Sequence, residues 1–397
     1  MSLPLQGVRV LDLSGALAGP YGAQMLGDLG AEVIKIELPG EGDHSRSMPP
    51  YSAKGFSAYY LGFNRNKKSL TLNLKAPEGK EIFFELVKKA DVVWDNYRPG
   101  VRQRLGIDYE NCRKVNPRII SCSISGFGQT GPYRDRPALD LIVQAQGGGM
   151  SYTGEEGRDP VRMGFPMGDL AGGIFGVQGV LAALFFRDRT GVGQDIDVSM
   201  LDCQVALHTY RLQYYFLGGE LPVPIGSGHA SGVPIRAFKA KDGKFIGIDA
   251  TVDRLWFAFC ESMGRPEWKE DPRFNTRAKR LENRSTLYKM VEEIFLTKTK
   301  DEWMEILVKK GVPAGPVSTL DEVVNDPQVL QRRMIVEMDH PIIGKLKVTG
   351  NPVKMSECKE EAFLPHPTLG QHNGEILGKI LGYSEQKIEE LRKNKVI

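Results

Sequence analysis

The chain has 397 residues, of which 41% are hydrophobic and 25% are charged, and these proportions are those of an ordinary soluble globular protein. This length allows two or three domains and excludes a single small module. The 52 basic and 49 acidic residues leave a formal charge of +3, which is too balanced for a protein that binds nucleic acid by its overall charge. We therefore expect no nucleic-acid partner.

The cysteines indicate neither a disulfide framework nor a metal site. They number five and form no C-x-x-C pair, so no metal is predicted and a cytoplasmic location is expected. The first residues, MSLPLQGVRVLDL, lack the pattern of a secretory signal. The apolar stretch 168–186 contains Asp169, Gln178 and five glycines, which favours a buried core helix over a membrane span. No membrane partner is expected.

The first half of the chain alternates strand and helix patterns. Residues 8–13 predict a strand, Pro20 opens a helix, and residues 32–37 predict a second, parallel strand. The pattern continues with predicted strands over 69–74, 91–94, 118–125 and 195–200 and a helix over 77–90. This order predicts an α/β fold with a large Rossmann-like domain. In such sheets ligands bind at the loops after the strands, here 95–100 and 126–133.

A glycine- and proline-rich segment, 217–234, marks a linker or mobile loop, and a different pattern follows it. Residues 235–248 predict a hairpin around Asp242-Gly243, followed by helices over 277–297 and 300–310 and a strand pair over 334–348. We predict a large Rossmann-like domain of residues 1–200 plus 331–397, a small α+β domain of residues 225–330, and a linker over 201–224.

The first βαβ unit has the outline of a dinucleotide site but not its fingerprint. The loop from Gly15 to Gly19 is not G-x-G-x-x-G, so it lacks the glycine that lets a pyrophosphate approach. The two glycines are interpreted as loop closure and helix entry. No nicotinamide cofactor is predicted.

Asp169 begins the long apolar helix, where free N–H groups and the helix dipole stabilise negative charge. This position predicts an ionised carboxylate beside an anion-binding pocket. Gly172, Gly176 and Gly179 fall on one helical face and allow another backbone to approach closely. An equally weighted alternative is that Asp169 only caps the helix.

A second group of charges is interpreted as a solvated helical face. It contains basic residues interrupted by an acidic one and has no flanking aromatic residues for stacking on bases. Its members are Arg273, Arg277, Lys279, Arg280 and Arg284, with Glu282 between them.

Several motifs, matched in order along the whole chain, carry a resemblance to a known family. They are LPLQGVRVLDLSGALAGPYGAQMLGDLGAEVIKIE, LNLKAPEGKE, DNYRPG, SGFGQTGPY, MGDLAGGIFGVQGVLAALFFRDRTGVGQDIDVSM and GVPAGPV. The chain resembles the class III CoA-transferases, the CaiB/BaiF type, which includes formyl-CoA transferase and carnitine CoA-transferase. The resemblance implies an interlocked homodimer. It also implies transfer of CoA between an acyl-CoA and a small carboxylic acid, with CoA thioesters as substrates and no permanently bound cofactor.

The same resemblance implies roles for individual residues. Asp169 matches the family's catalytic aspartate, which forms an anhydride with the acyl group and then a thioester with CoA. The loop containing Gly226, Gly228, His229 and Gly232 matches a glycine-rich lid, although an ordinary linker is an equal alternative. The positions that match CoA-binding residues, with one added arginine at 136, are Ala18, Leu72, Asn73, Lys75, Asn96, Tyr97, Arg98, Arg104 and Arg136.

Two other functions remain open. A racemase related to α-methylacyl-CoA racemase would need a histidine–aspartate pair where this chain has Leu139-Asp140, and no histidine lies between His44 and His208. A CoA-binding protein without catalysis is the second alternative, against which the intact Gly168-Asp169 argues.

The acceptor acid is predicted from four positions. Leu17, Leu38, Met48 and Leu139 stand where formyl-CoA transferase has polar or aromatic residues. A more apolar pocket favours a longer or partly apolar acid over oxalate.

Overall fold

The computed structural model describes residues 3–358 and 363–397 and contains a parallel sheet flanked by helices. The strands are β1 (Arg9–Asp12), β2 (Glu32–Glu37), β3 (Ser52–Ala53), β4 (Phe56–Ser57), β5 (Lys67–Thr71), β6 (Val92–Asp95), β7 (Ile120–Ser125), β8 (Asp195–Ser199), β9 (Ile235–Lys239), β10 (Phe245–Asp249), β11 (Ala314–Pro316), β12 (Ile335–His340) and β13 (Gly344–Thr349).

Helices connect most of these strands. They are α1 (Ala18–Asp28), α2 (Ala58–Leu61), α3 (Pro77–Val87), α4 (Val101–Leu105), α5 (Tyr109–Val115), α6 (Asp140–Gln146), α7 (Met167–Thr190), α8 (Met200–Leu207), α9 (Tyr210–Gly218), α10 (Asp253–Ser262), α11 (Arg277–Glu282), α12 (Arg284–Phe295), α13 (Lys300–Lys309), α14 (Leu320–Val323), α15 (Pro327–Gln331), α16 (Asn373–Glu375) and α17 (Glu385–Lys393). Shorter 3₁₀ turns cover His44–Ser47, Gly149–Tyr152 and Pro266–Lys269, and a π turn covers Ile376–Ile380.

The central sheet has six parallel strands in the order β5-β2-β1-β6-β7-β8. The chain builds outward from β1 through β2 to β5, and then returns to place β6 on the other side of β1. The order therefore reverses between β1 and β6, and a reversal of this kind opens a crevice at the carboxyl ends of the strands. The predicted α/β architecture with a parallel sheet is confirmed.

The middle of the sheet is buried on both faces, which explains why β1, β2 and β6 are apolar at consecutive positions. Val10 and Leu11 illustrate this, because adjacent residues of a strand point to opposite faces. Val10 joins a core formed with α1 and α7, whereas Leu11 joins a core formed with α3 and α17.

Glycines let α7 pack closely on α1 and on the sheet. A Cβ at Gly173 would lie 2.8 Å from the Ala18 carbonyl oxygen, so this glycine provides the backbone approach. Gly172, Gly176 and Gly179 instead face side chains of the sheet, namely Ile124, Trp94 and Ile196. The prediction of backbone contact at those three glycines was wrong, because the helix presents them to the sheet and not to α1.

Helix α7 is buried on one face only. By length and composition it is the one helix of the described residues that could cross a membrane, and 44% of its most apolar window is buried. The outer face includes Ile174, Leu181, Phe185 and Phe186, which are exposed on the single chain. The prediction of a buried core helix therefore holds for the inner face alone, because the composition is apolar all round and does not distinguish the two faces.

The chain forms two compact units. The first comprises residues up to Gly149, then 162–213 and 328–397, and the second comprises 150–161 and 214–327. Residues 201–224, predicted as a linker, contain α9 and all but the first residue of α8. The first part of the predicted linker is therefore helical: Ser199 caps α8 by accepting a hydrogen bond from the Asp202 amide, and the glycine- and proline-rich composition begins only at Gly218.

The second unit has a small antiparallel sheet in the order β11-β10-β9, covered by α10, α12 and α13. The hairpin predicted around Asp242-Gly243 is confirmed as β9 and β10. Arg280 is fully buried, and its guanidinium donates to the carbonyls of Val233, Phe274 and Thr251. The prediction of a solvated face was wrong for this arginine, because it satisfies carbonyl groups inside the unit.

Candidate active site

The candidate site lies at the carboxyl edge of the parallel sheet. The loops after β1, β5, β6 and β7 all leave from this edge because the strands are parallel. Helix α7 runs back from this edge toward the start of β8, so its first turn also lies here. This geometry explains how Asp169, which is distant in sequence from β1, comes to lie beside the loop after that strand.

That loop is held in a fixed conformation. The Gly15 amide donates to Asn96 Oδ1 at 2.9 Å, and Asn96 Nδ2 donates to the Gly15 carbonyl at 2.8 Å. Ala16 has φ of 63°, a left-handed conformation that is unfavourable for alanine. Its amide donates to Asp43 Oδ1 at 3.2 Å. Three hydrogen bonds with Asn96 and Asp43 therefore hold the loop in this conformation.

Buried charges lie beneath this loop. Lys35 Nζ lies 2.9 Å from Asp43 Oδ2 and donates to the Ser14 carbonyl at 2.6 Å. Lys67 Nζ donates to Asp12 Oδ2 at 3.0 Å. Burial raises the pKa of Asp43, but the ion pair with Lys35 and several amide donors outweigh it and hold that pKa at about 2. Both lysines therefore serve the scaffold of the site and not its exposed surface.

Asp169 lies in the first turn of α7 and is half-buried. Burial, and then the negative charge of Asp140, raise its pKa to about 7. The helix terminus predicts an ionised carboxylate, but desolvation and a like charge oppose it, so Asp169 is only partly ionised at neutral pH. A carboxylate with this pKa is more basic than an ordinary aspartate, and more nucleophilic when it is ionised.

Two neighbours of Asp169 were missed from sequence. Asp140, on α6, accepts a hydrogen bond from the Gly168 amide at 2.8 Å. Tyr59, on α2, lies within electrostatic range of Asp169, and burial and then the charge of Asp169 raise its pKa. Both lie far from Asp169 in sequence. The sequence marks Asp140 only through the comparison of Leu139-Asp140 with a racemase pair, and nothing local to either residue shows that it lies near Asp169.

The positions matched to CoA-binding residues fall at the same sheet edge but differ in exposure. Lys75, Arg98, Arg104 and Arg136 are exposed cations, and Arg136 stacks on the Tyr133 ring at 3.7 Å. Asn73 is half-buried, and its side chain accepts from the Lys75 amide at 3.1 Å.

Other matched positions contribute mainly to the scaffold. Leu72 is buried in the core next to β5, and Tyr97 packs against that core. Ala18 is buried where α1 meets α7. Asn96 uses both atoms of its amide on Gly15, so its side chain orders the loop.

The loop matched to the family lid belongs to the second unit. His229 Nδ1 accepts from the Ser231 amide at 3.2 Å, and a bridge joins His229 to Gly232. Gly226 has φ of 62° and donates its amide to the Gly154 carbonyl, while the Gly228 amide donates to the Ile225 carbonyl.

Two arginines hold the second half of this loop, at Ala230 and Ser231, by hydrogen bonds to its carbonyls. Arg284 donates to the Ala230 carbonyl at 3.2 Å, and Arg277 donates to the Ser231 carbonyl at 2.8 Å. With Arg280 on Val233, three carbonyls of one short segment each receive a different guanidinium.

A separate cleft of about 690 Å³ opens at the opposite, amino edge of the sheet. Its lining includes Arg9, Glu32 and Lys68, and both cations contact Glu32 at 2.7 Å. Because Arg9 and Lys68 are both paired with Glu32, these two cations do not attract a CoA phosphate strongly into the cleft. Within residues 3–358 and 363–397, no three His, Cys, Asp or Glu side chains are grouped to hold a metal ion.

Comparison with known proteins places the chain in a family. Residues 5–373 match the family model described as CoA-transferase family III. The chain is 42% identical to succinyl-CoA:glutarate CoA-transferase of Mus musculus over 388 residues, which cover 98% of this chain and 89% of that protein. It is 42% identical to acetyl-CoA:oxalate CoA-transferase of Acetobacter aceti over 385 residues, 97% of each chain.

The fold comparison agrees. The crystal structure of a CaiB/BaiF family protein from Brucella suis superposes with a TM-score of 0.86 at 35% identity, covering 96% of this chain and all of that one. Sequence and structure thus match this family over nearly the full length. The chain belongs to CoA-transferase family III and is an enzyme of that family.

Proposed function

We propose that this enzyme moves CoA between carboxylic acids with Asp169 as a covalent nucleophile. The observation that carries the proposal is the position of Asp169, half-buried in the first turn of α7 at the sheet edge, with a pKa of about 7. Ionised and poorly solvated, such a carboxylate suits attack on a thioester. At neutral pH a large fraction of the enzyme carries it in the ionised form.

The first half-reaction removes the donor acid. An Asp169 oxygen attacks the thioester carbonyl, the C–S bond breaks, and CoA leaves as the thiolate, which gives an acyl–aspartyl anhydride. The thiolate then attacks the Asp169 carbonyl carbon. The C–O bond of the anhydride breaks, the donor acid leaves as a carboxylate, and Asp169 carries CoA as a thioester.

The second half-reaction repeats these steps with the acceptor. The acceptor carboxylate attacks the aspartyl thioester, the thiolate leaves, and a new anhydride forms. The thiolate attacks the acceptor's acyl carbon, which releases the new acyl-CoA and restores the Asp169 carboxylate. Because water would hydrolyse both anhydrides, the loop of Gly226 to Gly232 is proposed to act as a lid during the reaction.

The exposed cations at the sheet edge are proposed to bind the phosphates of CoA. Lys75, Arg98, Arg104 and Arg136 supply positive charge at the loops where ligands bind in open α/β sheets. Asn96 and Ala18 are proposed to contribute by shaping the loop after β1. No permanently bound cofactor is part of this proposal.

A dicarboxylic acid of four to six carbons is the proposed acceptor, with succinyl-CoA or acetyl-CoA as donor. Leu139 is 76% exposed next to Asp140, Leu38 is exposed and Met48 is half-buried, whereas Leu17 is buried and contributes no surface. Exposed Arg134 and Arg136 are available to pair with a distal carboxylate. Two similar CoA-transferases are named for glutarate and for oxalate, which are both dicarboxylates. These names support a dicarboxylic acceptor, but they differ in the number of carbons and so do not support a particular length. A competition assay with equal concentrations of oxalate, succinate and glutarate tests this, and preference for oxalate would contradict it.

A homodimer is also proposed. The outer face of α7 exposes Ile174, Leu181, Phe185 and Phe186 on the single chain, and apolar surface of this extent usually marks an interface. A second copy is the proposed partner because the family resemblance implies interlocked subunits. Light scattering at micromolar concentration should give twice the mass of the chain, and a monomer would contradict the proposal.

The nucleophile is tested with Asp169→Ala and Asp169→Asn. Both variants should lose CoA transfer but still bind CoA in calorimetry, since neither removes a phosphate-binding cation. Hydroxylamine added during turnover of the unmodified enzyme should label Asp169, which mass spectrometry of the peptide detects. Transfer by the alanine variant would overturn the mechanism, and binding without any transfer by the unmodified enzyme would favour a CoA-binding protein.

A further inference from the structure

Helix α7 begins without a cap from its own sequence. Pro166 precedes the first helical residue and has no side-chain acceptor. The early amides of a helix need acceptors from outside the helix. The Gly168 amide finds one in Asp140 Oδ1 at 2.8 Å, from a residue 28 positions earlier on α6. The cap is therefore supplied by tertiary structure.

The other oxygen of Asp140 extends this contact into a network. Asp140 Oδ2 accepts from Gln144 Nε2 at 2.8 Å and lies 3.6 Å from Arg162 Nη1. Gln144 Oε1 in turn accepts from the Met163 amide at 2.9 Å. The segment leading into α7 is thus tied to α6 at Arg162, Met163 and Gly168.

There is no free space at this junction. A Cβ at Gly168 would lie 2.5 Å from Val143 Cγ2 and 3.1 Å from Asp140 Oδ1. Asp140 is only 9% exposed, so its carboxylate is available to the helix and largely withdrawn from solvent. Any shift of the Asp140 carboxylate consequently changes the backbone immediately before Asp169.

We propose that Asp140 is a positioning residue, which holds the first turn of α7 through the Gly168 amide and so directs the Asp169 carboxylate toward the thioester. This inference rests on the proposed role of Asp169. Attack on a carbonyl needs close alignment, and a displacement of about 1 Å can lower the rate about 100-fold. Asp140 contacts Gly168, Gln144 and Arg162, and its effect on the reaction passes through them.

The test separates the hydrogen bond from the charge. Asp140→Ala removes the acceptor. The double variant Asp140→Asn with Gln144→Glu keeps an oxygen at position 140 that accepts from the Gly168 amide. The side-chain NH₂ of the new asparagine can donate to the new glutamate, which replaces the Gln144 donor. The pair retains one negative charge. Asp301→Ala, which removes an exposed carboxylate outside the site, is the control.

We expect Asp140→Ala to lower kcat at pH 8 by roughly 10- to 100-fold while changing KM for the acyl-CoA less than about 3-fold. The double variant should recover kcat to within about 5-fold of the unmodified enzyme, because the cap is restored. Hydrogen exchange should show faster exchange of the Gly168 amide in Asp140→Ala and normal protection in the double variant. The Asp301→Ala control should change none of these values.

Three outcomes would overturn the inference: an unchanged kcat in Asp140→Ala, a lower kcat with the Gly168 amide still protected, or an equal loss in a double variant whose amide is protected. If Asp140→Ala does not fold, Asp140→Ser replaces it, since its shorter side chain withdraws the acceptor. Transfer activity in Asp169→Ala would instead refute the proposed function, so the two failures are distinguishable.

Discussion

Lys35 and Asp43 form an ion pair beneath the candidate site, with Nζ and Oδ2 2.9 Å apart and side chains that are 0% and 2% exposed. The same Asp43 carboxylate accepts the amide of Ala16 in the loop after β1. A buried pair of this kind links the stability of the sheet to the conformation of the loop. Removing Asp43 would take the nearest carboxylate from buried Lys35 and leave it only the charges of Asp12 and Glu37.

Asp43→Asn should therefore lower the free energy of unfolding by about 3 to 5 kcal/mol. Urea unfolding followed by circular dichroism measures this change. Glu110→Gln, which breaks an exposed pair with Arg113, is the control and should cost at most about 1 kcal/mol. Equal effects of the two substitutions would show that the buried pair contributes no more than a surface pair.

The same pair predicts how stability depends on pH. The pKa of Asp43 is about 2 in the folded chain and 3.8 in its ordinary state, so the folded state favours the ionised form. The stabilisation is fully present above pH 3.8 and is lost as pH falls toward 2. Asp43→Asn should remove this part of the acid dependence, which unfolding measured between pH 2 and 5 will detect.

The rate of CoA transfer should depend on ionisation of Asp169. Burial and Asp140 raise its pKa to about 7, so kcat should fall about tenfold for each pH unit below that value. Asp140→Asn removes the like charge near Asp169 and should therefore move this acid limb to lower pH. The other charged and titratable neighbours, Arg162 beside Asp140 and Tyr59 beside Asp169, are unchanged in this variant. Asp301→Asn, at an exposed position, should not move it. An acid limb near pH 4 in the unmodified enzyme would contradict the assignment.

Gly173 should not tolerate a methyl group. A Cβ there would lie 2.8 Å from the Ala18 carbonyl oxygen, and a backbone atom cannot move aside cheaply. Gly173→Ala should cost about 1 to 3 kcal/mol of stability despite alanine's helix preference. Gly218→Ala, in α9 with nothing within 4 Å, should change stability by less than about 0.5 kcal/mol. Thermal unfolding of both variants provides the comparison.

Asn96→Ala should weaken substrate binding more than stability. It removes both hydrogen bonds to Gly15, each worth about 0.5 to 1.5 kcal/mol, and frees a loop at the proposed CoA site. KM for the acyl-CoA should rise about tenfold, measured in steady-state kinetics. Asn111→Ala removes a hydrogen bond from Asn111, on α5, to Asp108, the residue before that helix; it serves as the control and should leave KM unchanged. An unchanged KM in Asn96→Ala would mean that this loop does not shape the site.

Local pattern was sufficient for much of the fold. The residue patterns of β1, β2 and β6 predict strands, and Asp242-Gly243 predicts the turn between β9 and β10. These features depend on neighbouring residues, so the sequence carries them directly. The position of Asp169 at the start of an apolar helix was readable for the same reason.

Tertiary structure decided the environment of that residue. Asp140 lies 28 residues before Gly168 in sequence, yet it caps α7 and raises the pKa of Asp169. The sequence pattern predicts Arg280 as a surface charge, whereas in the folded chain it is buried and donates to three backbone carbonyls. The burial of a side chain and its contacts with residues distant in sequence depend on which helices and strands pack together. The hydrophobic periodicity of a single helix or strand does not determine that packing. The amino-acid sequence alone therefore determined the elements and the candidate nucleophile, whereas only the folded chain determined the protonation of Asp169 and the groups that hold it.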